Sequence, residues 1–291
     1  MANEPVMTGK ISQLKFEKRK WGLYARLFTD WGDGWNGHYV VVNDDICLSD
    51  IVEDEKSSCV GVVDSGKGIY GHMSDIKAGI VDYALHLKKG FAFQATPPSR
   101  VVVCPSHSPA PLERAVALFI VEGKKRDNTD VECYEVTDPN KVTQKPYEYE
   151  SLGQEIFTYP EDGQLGLLRF TFAGQGIPIH RHPHSARVIK GIAGDGFTYI
   201  EPNVYPMTAD DYALIPKKQV HTNGPKPGSV SKVWAFQMPW VVSKIDEHNI
   251  GGSPQFVQYE GGYALPKPLW KTTEDFKRII DKLGKPSPKS I

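Results

Sequence analysis

The chain has 291 residues, 40% hydrophobic and 24% charged, ordinary globular proportions and long enough to bury one large core or two smaller ones without staples. A formal net charge of −1 excludes the strongly basic surface that nucleic acid or an anionic membrane selects; the one basic run, Lys15 to Lys20, reads as an exposed amphipathic segment. Cys47, Cys59, Cys104 and Cys133 show no C-x-x-C spacing, Met1 to Lys10 lacks an apolar signal core, and no apolar run spans a bilayer, so a cytoplasmic protein with free thiols is expected.

Residues 1–140 mix two kinds of signal. Short β-branched runs at Tyr39 to Val42, Val60 to Val63 and Val101 to Val103 predict strands. Between them, Ser74 opens a predicted helix with Ile76, Ile80, Ala84 and Leu87 near helical spacing, closed by Gly90. Pro111 opens a second helix through Val121, or Val116 to Val121 forms a buried strand. Gly66-Lys67-Gly68 lacks the spacing of a phosphate loop, and Ser106 and Ser108 around His107 lack a nucleophile's setting. A turn-rich stretch from Glu122 to Glu150, broken by the alternating Val131 to Val136, separates this part from the next.

Residues 141–262 read as consecutive strands: Leu165 to Phe172, Ile177 to His182, Arg187 to Ile192, Phe197 to Ile200, Tyr212 to Pro216 and Lys232 to Met238. Glycine and proline punctuate almost every gap, the pattern of an antiparallel sandwich or barrel. The tail, residues 263–291, predicts a helix over Glu274 to Leu283, capped by Thr272 or Thr273 and stopped by Gly284 and Pro286.

His180 and His182, two apart on a strand, share one face. His221 follows a strand end and a turn, which a barrel brings beside that pair. Neutral imidazole suits iron, zinc, copper and nickel, so the three form a candidate metal site. Pro183 points to a turn that takes His184 off the strand, leaving it as a lesser candidate for ligation or acid–base work. His38, His72, His86, His107 and His248 read as surface or helix residues.

The stretch from Gly176 through His180-Arg181-His182 and Arg187 to Gly196 resembles the first cupin motif, and Asp211 through Pro216 and His221 to Asn223 resembles the second. The resemblance covers roughly a quarter of the chain. It implies a small antiparallel jelly-roll barrel with a divalent metal in its mouth: Fe(II) first, with Zn, Mn and Ni as alternatives. Residues 1–140 fit either an α/β layer or a degenerate second cupin barrel, and the resemblance favours the second, since two-barrel chains are a known cupin plan; it also implies that the chain can form a homodimer. Where the first motif usually carries a glutamate ligand this chain has Arg187, which cannot ligate and stays charged. The three-histidine site is similar to that of gentisate- and salicylate-type 1,2-dioxygenases, whose first motif also reads His-Arg-His. That likeness implies a small organic acid substrate, aromatic acids among the candidates, gripped by Arg187, with Tyr199, Tyr212, Trp234, Phe236 and Gln237 as an aromatic and polar pocket. A redox-neutral isomerase or lyase and a non-catalytic binding barrel are the other functions consistent with the motifs.

Overall fold

In a computed structural model of the chain, residues 5–32, 34–52, 57–75, 80–96, 101–105, 115–124, 133–146, 151–157, 165–172, 176–177, 180–226, 229–239, 248–249, 256–258 and 264–266 are described. Nearly all of them lie in antiparallel strands or the turns between, and the helical segments among them are two three-residue turns, Ile11–Gln13 and Leu48–Asp50. The chain divides into two compact units, one of Gln13–Val142 with Ile156–Gly166, the other of Met1–Ser12, Thr143–Glu155 and Leu167–Ile291.

The C-terminal unit packs two sheets. One has seven strands in the order Met7–Lys10, Asp211–Ile215, Ala186–Ala193, Ser231–Met238, Gly166–Phe172, Ser151–Phe157 and Lys145–Pro146. The other has five: Asn203–Met207, Gly196–Ile200, His221–Pro225, His180–Arg181 and His248–Asn249. Alternation sets what each strand buries: Leu168, Phe170 and Phe172, Ala213 and Ile215, and Val233 and Ala235 point inward two apart. They meet Ile177, Ile200 and Met207 from the other layer in one core. Each of the larger of these side chains contributes about 1.5–3 kcal/mol by leaving water. The edge strand Met7–Lys10 pairs with Asp211–Leu214 and is tied by Lys10 Nζ to Asp211 Oδ1 at 2.8 Å, so the first residues join this unit rather than the one that follows them in sequence.

Apart from the short helical turn Leu48–Asp50, the described elements of the N-terminal unit are strands, so the α/β layer is excluded there. The helix expected from Ser74 is absent: Ser57–Asp75 and Ile80–Lys88 are strands paired antiparallel. The helical spacing of Ile76, Ile80, Ala84 and Leu87 coexists with a period-two series, Val81, Tyr83, Leu85 and Leu87, and the β-branched and aromatic content decides for the strand. Gly90, at φ +84°, serves a turn between strands, its N–H donating to Val63 O at 2.7 Å. The second ambiguous segment is a strand, Val116–Lys124. The 19-residue strand Ser57–Asp75 serves both layers of the unit. Its first half pairs with Val116–Lys124 and Ala92–Thr96, its second half with Ile80–Lys88 and Val101–Pro105. The change comes at Gly66, φ +82°, where a Cβ would stand 2.0 Å from Ala115 O. Tyr24, Val40, Leu118, Ile120, Val63, Phe93 and Leu87 fill the interior. The tail segment 274–283 lies outside the described residues.

Candidate metal centre

The five-stranded sheet of the C-terminal unit brings the three motif histidines together. His180 is paired directly with His221, and His221 sits opposite Ile200 on its other side. His182 follows at the strand end, held by backbone contact with the second motif: Lys218 N–H donates to His182 O at 2.7 Å. Lys218 reaches that oxygen by adopting φ +66° in the turn after Pro216. Gly176 lets the start of the first motif close on the second, since a Cβ there would lie 2.4 Å from Asn223 O.

The ligating nitrogens of His180, His182 and His221 all lie within 4.8 Å of one another, and the three rings are buried. Burial first, then the neighbouring His180 and His182, then Arg187, holds the His221 imidazole well below its usual pKa and so neutral. His221 Nδ1–H donates to Gln219 O at 2.9 Å, which fixes the tautomer that turns the Nε2 lone pair toward the cluster. Thr198 Oγ1–H donates to Asn223 Oδ1 at 2.7 Å, two residues beyond His221 on the same strand face.

Arg187 enters from the seven-stranded sheet, 4% exposed, with Nη1 donating to Ser185 Oγ at 2.6 Å and Nη2 to His182 Nδ1 at 3.0 Å. An imidazole that accepts on Nδ1 carries its proton on Nε2. The three histidines therefore fit a divalent ion on one condition: for His182 to ligate through Nε2, Arg187 must release Nδ1. Neutral nitrogen donors suit iron, zinc, nickel and copper better than magnesium or calcium.

The cavity enclosed by these groups measures about 20 Å³, room for an ion or one or two waters. Leu168, Phe170, Ile177, Ile189, Asn223 and Ala235 also line it, and among the described residues no acidic side chain does. The remaining expected site residues stand elsewhere, for reasons of strand parity. Trp234 and Phe236 alternate with the inward Val233 and Ala235, and Arg169 stacks over the Trp234 ring at 5.8 Å. Tyr199 alternates with the inward Thr198 and Ile200. Tyr212 lies under Gly9, where a Cβ would be 2.4 Å from its hydroxyl oxygen. Gln237 is the near miss: it is buried opposite Arg187 and its Nε2 donates to Ser185 Oγ at 3.3 Å. His184 is exposed on the bend after His182 and does not line the cavity. The apolar wall was invisible in sequence because its members look like any core residues; only Asn223 carried a motif signal.

Among the remaining histidines, His38 departs from its expected surface or helix position. It is fully buried on the strand Trp35–Val42, with Nε2 3.4 Å from Glu122 Oε2 and Nδ1 3.0 Å from the Tyr24 hydroxyl.

No protein-family model matches the chain, and no curated protein matches it by sequence. Solved structures match its fold. The protein Ylba from E. coli superposes with a TM-score of 0.62 at 11% identity, covering 82% of this chain and 93% of its own. An oxalate decarboxylase from Lactobacillus farciminis, solved as a formate complex, gives 0.58 at 9% identity over 86% and 89%. A cupin 2 conserved barrel domain protein from Leptotrichia buccalis gives 0.54 at 11% identity over 80% and 96%. Coverage of at least 80% of the chain exceeds what either unit holds, so the likeness runs through both, and the fold is that of cupin barrels. Among the described residues, no helix is long and apolar enough to cross a membrane.

Proposed function

We propose that this protein is a metal-dependent enzyme acting on a small organic acid, and that its reaction is that of a non-haem Fe(II) dioxygenase. The observation that carries the reading is the charge balance of the cavity. Three neutral imidazoles cancel none of a metal ion's charge, Arg187 adds another positive charge, and among the described residues no carboxylate lines the wall. A buried excess of positive charge is costly unless an anion completes it. A substrate carboxylate does so, bidentate on the guanidinium.

When bound, the ion would supply open coordination positions for substrate and oxygen and the electrons that activate oxygen. The chain's own residues do the rest. His180, His182 and His221 hold the ion, and Gln219 O keeps His221 in the ligating tautomer. Arg187 passes from His182 to the substrate carboxylate, so that metal and acid favour each other's binding. Leu168, Phe170, Ile177 and Ile189 keep water out. The tight cavity, and the outward parity of Trp234, Phe236 and Tyr199, favour a short aliphatic acid over an aromatic one.

A redox-neutral conversion is the second reading, favoured by the oxalate decarboxylases among the fold neighbours, one described by its Mn(II) centres. Elemental analysis of protein purified without added metal, with oxygen uptake measured on a panel of short carboxylic acids, separates the two. About one equivalent of iron and acid-dependent oxygen consumption supports the dioxygenase. Manganese, zinc or nickel with acid turnover and no oxygen uptake moves the reaction to the redox-neutral class. Protein that takes up no metal on reconstitution overturns both.

A further inference from the structure

Two residues that the proposed reaction does not use hold the Arg187 guanidinium in place. Ser185 stands two positions before Arg187, immediately ahead of the strand Ala186–Ala193. Gln237 is the direct cross-strand partner of Arg187 on Ser231–Met238. That spacing and that pairing turn all three side chains to one face. Ser185 and Gln237 are both 0% exposed, so their contacts form without competing water.

Arg187 Nη1 donates to Ser185 Oγ at 2.6 Å, and Gln237 Nε2 donates to the same oxygen at 3.3 Å. Two donors use the two lone pairs of a hydroxyl oxygen, so toward Arg187 the serine acts only as an acceptor. The second terminal nitrogen of the guanidinium, Nη2, donates to His182 Nδ1 at 3.0 Å. A guanidinium is one rigid plane, so its two contacts form and break together. While Ser185 keeps Nη1, Nη2 stays on His182.

That contact decides the state of His182. An imidazole that accepts on Nδ1 carries its proton on Nε2, so both of its nitrogens are occupied and neither can take a metal. His221 is held the other way: its Nδ1–H donates to Gln219 O, which leaves Nε2 ready to ligate. The site therefore holds one ligand prepared and one blocked.

We propose that Ser185 is a positioning residue that keeps the metal-free site shut: its hydroxyl, itself held by Gln237, keeps Arg187 on His182 and His182 in the tautomer that cannot ligate. This role rests on the metal centre formed by His180, His182 and His221, and adds a barrier to it. An entering ion must part Arg187 from His182 and Ser185 together.

Two readouts separate this role from a structural one. The first needs no metal: heteronuclear NMR of the histidine ring nitrogens in metal-free protein at about pH 8, where ordinary imidazoles are neutral. His182 should show the Nε2–H tautomer in the wild type. Ser185→Ala should shift part of it to Nδ1–H and leave His221 as it is. The second is titration with Co(II), followed by its visible absorption. Ser185→Ala should bind Co(II) roughly five- to tenfold more tightly than the wild type, because a hydrogen bond from a charged group no longer holds the shut state. A merely loosened site would bind Co(II) more weakly. Gln237→Met, close in volume, should move both readouts the same way by less, and decides the matter if Ser185→Ala does not fold. Co(II) bound equally well by the wild type and Ser185→Ala, or a His182 tautomer unchanged by the substitution, overturns the role of Ser185 and leaves the metal centre standing. Co(II) bound by neither protein overturns the centre and the barrier with it.

Discussion

The interiors of the two units handle buried ionisable groups in opposite ways. The N-terminal unit buries an acid among polar neighbours: Glu122 faces the His38 imidazole at 3.4 Å, the imidazole faces the Tyr24 phenol, and the Asn36 amide donates to the carboxyl. The C-terminal unit buries three imidazoles and a guanidinium, all basic, around a cavity with no acidic side chain among its described lining residues. The first cluster sets an acid beside its polar partners, while the second gathers basic groups that something bound would complete. The difference teaches where to look first for chemistry in a chain of two units: at the interior whose described groups are all basic.

Breaking the Glu122 cluster should give the largest effect. Glu122→Leu leaves His38 and Asn36 without their carboxylate and should cost about 3–5 kcal/mol in chemical denaturation. A loss below about 1 kcal/mol would mean that the N-terminal cluster is not a paired unit at all.

Next comes the centre itself. His221→Ala should lower metal affinity beyond the roughly 10–100-fold typical of losing an outer partner, because a ligand is removed. Competition against a chromophoric chelator measures it; unchanged affinity would place the metal elsewhere.

Arg187→Gln sharpens the contrast in charge. Without acid present it should bind metal about tenfold more tightly than the wild type, since a cation is gone and His182 Nδ1 is released. It should also lose most of the gain in metal affinity that a short carboxylic acid gives the wild type. Metal titrations with and without the acid read both effects, and equal curves for the two proteins would remove Arg187 from the site.

The smallest effect is in pH. His221 has a folded pKa depressed by burial and its basic neighbours, so the unfolded chain takes up a proton that the folded one refuses. Stability is therefore full above the ordinary imidazole value of about 6.5, and it declines as pH falls from there toward the folded value, by up to about 1.4 kcal/mol per pH unit. Unfolding midpoints of metal-free protein between about pH 8 and 5 should show the decline, and His221→Asn should flatten it. A wild-type profile as flat as the variant's would show that the histidine cluster is open to water.

Much of this was legible in the chain. The strands from Leu165 to Met238 were marked by alternation and by glycine and proline between them, and local patterns of that kind survive folding unchanged. The metal candidates were legible because their spacing belongs to two short motifs, each carried by a strand and a turn. In the N-terminal unit the same method failed at residues 74–90, where a helical and a strand period overlap and the pairing partners Ile80–Lys88 and Ser57–Asp75 settle the matter.

What the sequence by itself determined, then, is the antiparallel character of residues 165–238 and the meeting of His180, His182 and His221. Both follow from interactions between near neighbours or within one motif pair. Only the tertiary structure decided which face each strand turns inward, and so removed Tyr199, Tyr212, Trp234 and Phe236 from the cavity and put Leu168, Phe170 and Ile177 there. It alone set Arg187 on His182, and it alone joined Asn36 to Glu122 across 86 positions of chain. The reason is physical: period two gives the alternation of a strand but not its sign, and the sign is fixed by the layer it packs against.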